Sequence, residues 1–189
     1  MEARTHCRCG RVRGLVRDVS PANVTNAVCY CHDCRAFLHW LGQDELLIEA
    51  GGVPLVQVGR ARLQIEAGRD QLRLVRLTPK GLHRFYTACC RSPVANTVPS
   101  LPFVGIARTA IDVDEGALGP RMAIARPSAI GTAPSPERGD VRGLLHVARV
   151  MASWAIGGLG RPSPLLDASI PTQILTPDER DALRARPDA

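Results

Sequence analysis

The grouping of the seven cysteines is the feature that most constrains what this chain can fold into. They fall in three short clusters, and no cysteine lies outside a cluster: Cys7 and Cys9, then Cys29, Cys31 and Cys34, then Cys89 and Cys90. Clusters of this kind, with an odd total, suit metal or redox chemistry better than a disulfide framework. The chain starts without an apolar leader and has no apolar run of membrane-spanning length, so we expect a cytoplasmic protein that does not enter a membrane.

Seven thiolates divide naturally into a set of four and a set of three. Zinc prefers four tetrahedral ligands, so four thiolates close a structural site, whereas three leave one position for water or substrate. The middle cluster supplies its three sulfurs from residues 29–34 and can form the open site. The two outer clusters have only each other as partners and would form the closed site. We therefore expect two Zn²⁺ per chain, one structural and one catalytic.

Three other interpretations of the cysteines remain open. Cys31 and Cys34 have the spacing of a thioredoxin-like redox pair, although that motif belongs to a βαβ setting. The thiols could also be buried without a ligand. An iron–sulfur cluster needs four ligands and would leave three cysteines over.

The charge of the chain does not indicate a nucleic-acid partner. There are 24 Lys and Arg against 18 Asp and Glu, a formal net charge of +6, and Lys80 is the only lysine. The arginines are scattered along the chain and do not form a stripe or a basic tail. A nucleic-acid partner is therefore not expected.

The central part of the chain predicts β structure. Residues 61–67 alternate apolar and polar side chains, and neighbouring apolar runs at 53–58, 71–77 and 82–88 are separated by turn residues, which predicts an antiparallel meander. Further strands are predicted at 12–19, 24–29, 103–107 and 122–125. We expect a mainly β protein of antiparallel sheets: a zinc-binding β domain at 1–128, a linker rich in Pro, Ser and Gly at 129–140, and a helical extension at 141–189.

Helices are predicted at three places. One follows the middle cysteine cluster, with Asp33 as its N-cap and Gly42 at its end. The longest covers residues 141–156, and its wide apolar face should pack through Leu145, Met151 and Trp154 on the β domain or on a second copy of the chain, which makes it a candidate homodimer contact. A short one starts after residue 176, where Thr176 can cap and a proline follows.

Three motifs together carry a resemblance to a known family. They are Cys7-Arg8-Cys9-Gly10, Cys29-Tyr30-Cys31-His32-Asp33-Cys34, and a run of aromatic residues, cysteines and a Ser-Pro turn over residues 85–93. Over about residues 4–110 the chain resembles the glutathione-dependent formaldehyde-activating enzyme family, also called the centromere protein V family. One departure lies in the third motif, where the family carries C-x-x-C-G: Thr87 and Cys90 stand at its two cysteines and Arg91 at its glycine.

The resemblance implies a zinc-bound β-tent fold of packed antiparallel sheets. It also implies a structural zinc that joins the first and last motifs and a second zinc at the middle motif. Cys89, water or a nearby side chain would then replace the ligand missing at Thr87. In the family the second zinc is linked to the reversible joining of formaldehyde to the glutathione thiol, a carbon–sulfur lyase reaction.

The function expected from the sequence is accordingly a zinc-dependent carbon–sulfur lyase whose partners are a low-molecular-weight thiol and a small aldehyde. His32 and Asp33 lie inside the open-site loop, so they are the candidate catalytic residues that would move a proton from an entering thiol. The alternative is a non-catalytic, zinc-stabilised module that binds a protein or a nucleic acid.

Overall fold

The computed structural model describes residues 1–136, 140–159 and 163–186, which form strands in two sheets and a few helices. The strands, in chain order, are β1 (Ala3–His6), β2 (Arg13–Val16), β3 (Thr25–Cys29), β4 (Val53–Gly59), β5 (Leu63–Ala67), β6 (Leu72–Arg76), β7 (His83–Thr87), β8 (Pro93–Thr97), β9 (Phe103–Ala107), β10 (Ile111–Asp112), β11 (Met122–Ile124) and β12 (Thr172–Ile174). The helices are α1 (His32–Leu41), α2 (Glu115–Leu118), α3 (Asp140–Gly157) and α4 (Pro177–Arg184).

The small sheet has the strand order β10-β1-β2-β5, and the large sheet has the order β11-β3-β4-β9-β8-β7-β6-β12. One core cluster contains buried side chains from both sheets, among them Val16 of β2, Leu63 of β5 and Phe85 of β7. The two sheets therefore pack face to face. Gly14 permits the close pairing of β2 with β5, since a Cβ atom there would lie 2.0 Å from the carbonyl oxygen of Gln64.

Helix α1 covers the other face of the large sheet. Phe37 and Leu38 of the helix pack with Val75 of β6 in a second core cluster, while Leu74, next to Val75, belongs to the core between the sheets. The large sheet is thus buried on both faces near its centre. Gly42, with φ of +68°, ends the helix as predicted. The N-cap is Cys31 and not Asp33, because the helix already begins at His32.

The mainly β class is confirmed, and each strand predicted from the sequence overlaps a strand of the structure. The single meander is wrong, because β5 pairs with β2 in the small sheet while β4, β6 and β7 belong to the large sheet. Uniformly antiparallel pairing is also wrong, since β11 pairs with β3 and β12 with β6 in parallel. Both edge strands reach their neighbours through long stretches of chain, which parallel pairing requires and a hairpin cannot supply.

The C-terminal part of the chain packs on the β structure. In α3 the Trp154 side chain is only 3% exposed, and its Nε1 donates to the carbonyl oxygen of Asn23 at 3.1 Å. The indole lies over Gly59, where a Cβ atom would come within 2.8 Å of the ring. Leu145 does not pack on the β domain, since its side chain is 66% exposed, while Met151 is half-buried. The apolar face of α3 is wider than its contact with the sheet.

The last described segment returns to α1. After β12 the chain forms α4, whose N-terminus has the predicted capping box: the Thr176 hydroxyl accepts from the backbone N–H of Glu179, and the Glu179 carboxylate accepts from the backbone N–H of Thr176. The predicted linker 129–140 and extension 141–189 stay predictions as domain boundaries, and their residues 137–139, 160–162 and 187–189 lie outside the described residues. Among the described helices, none combines the length and the apolar character needed to span a bilayer.

The contacts of α3 predict a sharp difference between two apolar residues of the same helix. Trp154→Ala should lower the free energy of unfolding by about 3–5 kcal/mol, because it empties a buried site and removes the shorter of two hydrogen bonds to the Asn23 carbonyl, the other being from Arg62. The matched change Leu145→Ala should cost about 0.5 kcal/mol or less, because that side chain is exposed. Urea denaturation followed by circular dichroism measures both, and equal losses would contradict this packing of α3.

Candidate metal centres

Among the described residues, two groups of cysteines bring their sulfurs close enough to hold a metal ion. One is Cys7, Cys9, Cys89 and Cys90, and the other is Cys29, Cys31 and Cys34; within each group all Sγ atoms lie within 4.8 Å of one another. The structure thus gathers the seven predicted ligands into a set of four and a set of three. We call them the four-cysteine cluster and the three-cysteine cluster.

Two tight turns, one after β1 and one after β7, build the four-cysteine cluster. In the first, Gly10 has φ of +74° and donates its N–H to the Cys7 carbonyl, and the N–H of Val12 donates to Cys7 Sγ at 3.3 Å. Cys9 Sγ lies 3.6 Å from Cys7 Sγ and 3.4 Å from Cys89 Sγ. Thiolates about 2.3 Å from a tetrahedral zinc ion lie about 3.8 Å apart, so this donor set fits zinc.

In the second turn, position 87 is a threonine, and two adjacent cysteines that follow it supply the sulfurs. Cys89 Sγ lies 3.8 Å from both Cys7 Sγ and Cys90 Sγ, so Cys89 and Cys90 together supply two sulfurs of the cluster. The Thr87 hydroxyl instead lies 3.3 Å from Cys90 Sγ and accepts from the N–H of Ser92. Burial raises the pKa of Cys90, but hydrogen bonds with Ser92 and Thr87 outweigh it and lower that pKa to about 5.

Arg91 occupies a backbone conformation that favours glycine. Its φ is +55°, in the left-handed region, which costs a non-glycine residue about 1 kcal/mol or more. The side chain offsets this cost: the guanidinium lies 4.8 Å from the Trp40 ring centre and donates to the carbonyl oxygens of Trp40 and Leu41 at 2.6 and 3.2 Å. These contacts attach the Cys89–Cys90 turn to the C-terminal end of α1.

The three-cysteine cluster lies where β3 leads into α1. Cys29 is the last residue of β3, Cys31 is the N-cap of α1, and Cys34 is in the first turn, where the helix dipole favours a thiolate. Hydrogen bonds from the thiols of Cys29 and Cys34 lower the pKa of Cys31 to about 2. The bond with Cys31 raises the pKa of Cys29 to about 11, and the bonds with both neighbours raise that of Cys34.

A pocket adjoins the three-cysteine cluster, between α1 and the large sheet. It opens to solvent at its mouth, and Cys34 lines it. Its walls are mostly apolar, from α1 and from strands β4, β8 and β9. The polar side chains along it are Arg84, Asn96, Arg108 and Thr109. This pocket gives a small molecule a place beside Cys34.

Arg84 was not predicted from the sequence, and Asn96, which follows the Ser-Pro turn, was expected to stabilise that turn more than to reach the site. Arg84 is 1% exposed, and its NH1 lies 3.9 Å from Cys34 Sγ. The chain has many scattered arginines, so composition could not single out Arg84. Only the alternation of β7 could have indicated it: Phe85 faces the core between the sheets, so Arg84 next to it faces the opposite side of the large sheet. No sequence signal shows that α1 covers the opposite face.

Neither predicted catalytic side chain lines this pocket. His32 is exposed, and its Nδ1 accepts a hydrogen bond from Arg35 at 2.9 Å. Asp33 forms an ion pair with Arg184 of α4, whose Nε donates to Oδ1 at 2.8 Å. Both residues lie in the first turn of α1, next to the three-cysteine cluster in the chain, and their catalytic roles stay predictions.

The two clusters predict different outcomes for a single Cys→Ser change. Cys9→Ser should remove one metal ion and lower the melting temperature by about 10 °C or more, because the four-cysteine cluster joins turns far apart in the chain and its metal contributes folding free energy. The matched change Cys31→Ser should remove the other ion with a smaller fall, because its ligands are local. Elemental analysis and thermal circular dichroism test this; fewer than two ions in the unaltered protein would refute it.

Comparison with known proteins yields a family match and a distant structural similarity. A solved structure of a Rhodobacter sphaeroides protein is 18% identical, covers 61% of this chain and 94% of its own, and superposes with a TM-score of 0.43. None of the curated proteins matches the chain. The sequence model of DUF6151, described as a family of unknown function, matches residues 3–174. Because this match spans most of the chain, the protein belongs to the DUF6151 family.

Proposed function

We propose that the protein is a zinc-dependent carbon–sulfur lyase acting on a low-molecular-weight thiol and a small aldehyde, as its resemblance to the glutathione-dependent formaldehyde-activating enzymes implies. The observation that carries the proposal is the three-cysteine cluster, which offers three sulfurs and adjoins a pocket through Cys34. A structural site would be complete with four protein ligands, as the other cluster is. Three protein ligands beside a cavity leave a position for a substrate atom.

The donor atoms support zinc as the ion at both clusters. Soft thiolates favour zinc over magnesium or calcium, and the sulfur separations match a tetrahedral ion. The four-cysteine cluster would then be the structural site of a zinc-bound β-tent. Three thiolates on a divalent ion leave a net charge of about −1, so the open site is a weak Lewis acid. Zinc bound there would lower the pKa of a substrate thiol and hold it as a thiolate.

The protein's own residues would orient the reactants and limit water. Phe37, Leu38 and Leu55 give the pocket apolar walls beside Cys34, which favour a small organic molecule over bulk water. Arg84 places a positive charge beside the cysteine sulfurs, which stabilises thiolates there. The reaction adds the thiol sulfur to the aldehyde carbon while the thiol proton passes to a base and then to the aldehyde oxygen.

His32 and Asp33 are the proposed proton carriers. In neutral His32 the Nδ1 atom accepts from Arg35, so the ring proton is on Nε2, and the side chain must leave Arg35 before Nδ1 can take a proton. The Asp33 carboxylate is held in an ion pair with Arg184.

His32→Ala or Asp33→Asn should lower the rate of adduct formation without loss of either metal ion. An unchanged rate in both variants would remove them from the mechanism.

A second candidate function is the binding module, and the exposed face of α3 is the observation that favours it. The large apolar side chains of this helix and its end that remain exposed are Val141, Leu144, Leu145, Ile156 and Leu159. Large apolar side chains left exposed at both ends of one helix suit a contact with another macromolecule. The expected homodimer contact through this helix also stays a prediction, which size-exclusion chromatography with light scattering tests.

The proposed reaction predicts that the protein accelerates adduct formation between a thiol and formaldehyde. Exchange NMR with glutathione and a panel of small thiols measures the rate, with elemental analysis to verify both metal ions. The unaltered protein should exceed buffer by at least about a hundredfold, the usual contribution of one positioned catalytic group. Cys31→Ser should fall to the buffer rate because it destroys the three-cysteine cluster. With both ions present, no acceleration for any thiol would favour the binding module.

A further inference from the structure

Three residues form a continuous row across the large sheet beside the three-cysteine cluster. Arg84 of β7 pairs with Asn96 of β8, and Asn96 pairs with Gly105 of β9. Directly paired residues of antiparallel strands project to the same face. All three residues line the pocket, together with Phe37 and Leu38 of α1. The row is therefore the sheet side of the pocket, and α1 is its opposite wall.

Arg84 is a buried cation with most of its donors unused. A guanidinium carries five N–H donors, and the one hydrogen bond that Arg84 makes with the described residues is the long one from NH1 to Cys34 Sγ, at 3.9 Å. The guanidinium carbon Cζ of Arg84 also lies 5.8 Å from the centre of the Phe37 ring. No carboxylate of the described residues pairs with it. The cysteine sulfurs meet NH1 alone, so the remaining N–H donors of this buried cation, on a pocket wall, point to an anionic ligand.

Asn96 adds a neutral donor next to this cation. Its carboxamide makes no hydrogen bond with the described residues, and it lies over Gly105, where a Cβ atom would come within 2.8 Å of Asn96 Oδ1. Glycine at this position therefore makes room for the Asn96 side chain on the pocket wall. A carboxamide and a guanidinium side by side can both donate to the two oxygens of one carboxylate.

We propose that this pocket binds a small carboxylate, held by Arg84 and Asn96, with its hydrocarbon part against the apolar wall. A carboxylate fits better than a phosphate because the pocket offers one free guanidinium, one amide and mostly apolar surface. The inference rests on the proposed function in one respect: it makes the thiol substrate a short mercapto carboxylic acid. Arg84 touches Cys34 with NH1, so a carboxylate on its other N–H groups lies within a short carbon chain of the cluster.

The test uses propionate, which has no thiol and cannot react. Binding to the full-length, metal-loaded protein is followed by ¹H–¹⁵N NMR at the Arg84 Nε–H and the Asn96 side-chain amide. Propionate should shift both signals in a saturable way, and 1-propanol, of the same length without charge, should bind about tenfold or more weakly. Arg84→Met should weaken propionate by a similar factor. The control Arg142→Met removes the same charge from an exposed position on α3 and should leave binding unchanged.

A second variant keeps the test decisive if Arg84→Met fails to fold. Asn96→Asp places a carboxylate on the strand position directly opposite Arg84, so it should pair with the guanidinium, raise the melting temperature and abolish propionate binding. Unchanged binding in this folded variant would overturn the proposal, as would equal affinity for propionate and 1-propanol. Propionate binding without any acceleration of adduct formation would support the carboxylate site and count against the lyase.

Discussion

The position of α1 between the two cysteine clusters is the constraint on which the rest of this structure depends. Cys31 of the three-cysteine cluster is its N-cap, and Cys34 lies in its first turn. At its other end, Gln43 donates to the carbonyl oxygen of Arg91, and the Arg91 guanidinium packs on Trp40, which attaches the Cys89–Cys90 turn. The same helix closes the pocket against the large sheet. Loss of either attachment would therefore move the pocket wall as well as the cysteines.

Two buried arginines near α1 have different environments, and the difference points to different roles. Arg35 donates to the carbonyl oxygens of Tyr30 and Ser128 at 2.6 and 2.9 Å, so its charge is surrounded by acceptors that fix the start of the helix. Arg84 is as deeply buried but faces a cysteine sulfur, an aromatic ring and the pocket. The first arrangement stabilises a loop, because the guanidinium donates to two backbone carbonyls as well as to His32 Nδ1. The second leaves donors for a molecule that is not part of the chain.

The C-terminal part of the chain contributes to the surroundings of the site. Arg184 of α4 reaches Asp33 across 151 positions of sequence, and Arg186 pairs with Asp44 just beyond the end of α1. Leu175 packs in the cluster that includes Phe37 and Leu38. Helix α1, which follows its N-cap Cys31 and carries Cys34, is thus held in part by residues that lie beyond the stretch 3–174 matched by the DUF6151 family. Variation in these residues would change the start of α1 without touching a cysteine.

The spacing of the cysteines, the alternation of the strands and the helix signals at Gly42 and Thr176 were sufficient to indicate a mainly β chain with two sets of sulfurs. These are local patterns, and each depends on a few neighbouring residues. The sequence did not determine that β5 pairs with β2, that two edge strands run parallel, or that α3 buries Trp154 and leaves Leu145 exposed. Period-2 alternation defines two faces of a strand but does not specify what covers them. Arg84 and Asn96 lie in neighbouring strands, and only the packing of α1 on the large sheet places them on the wall of a pocket.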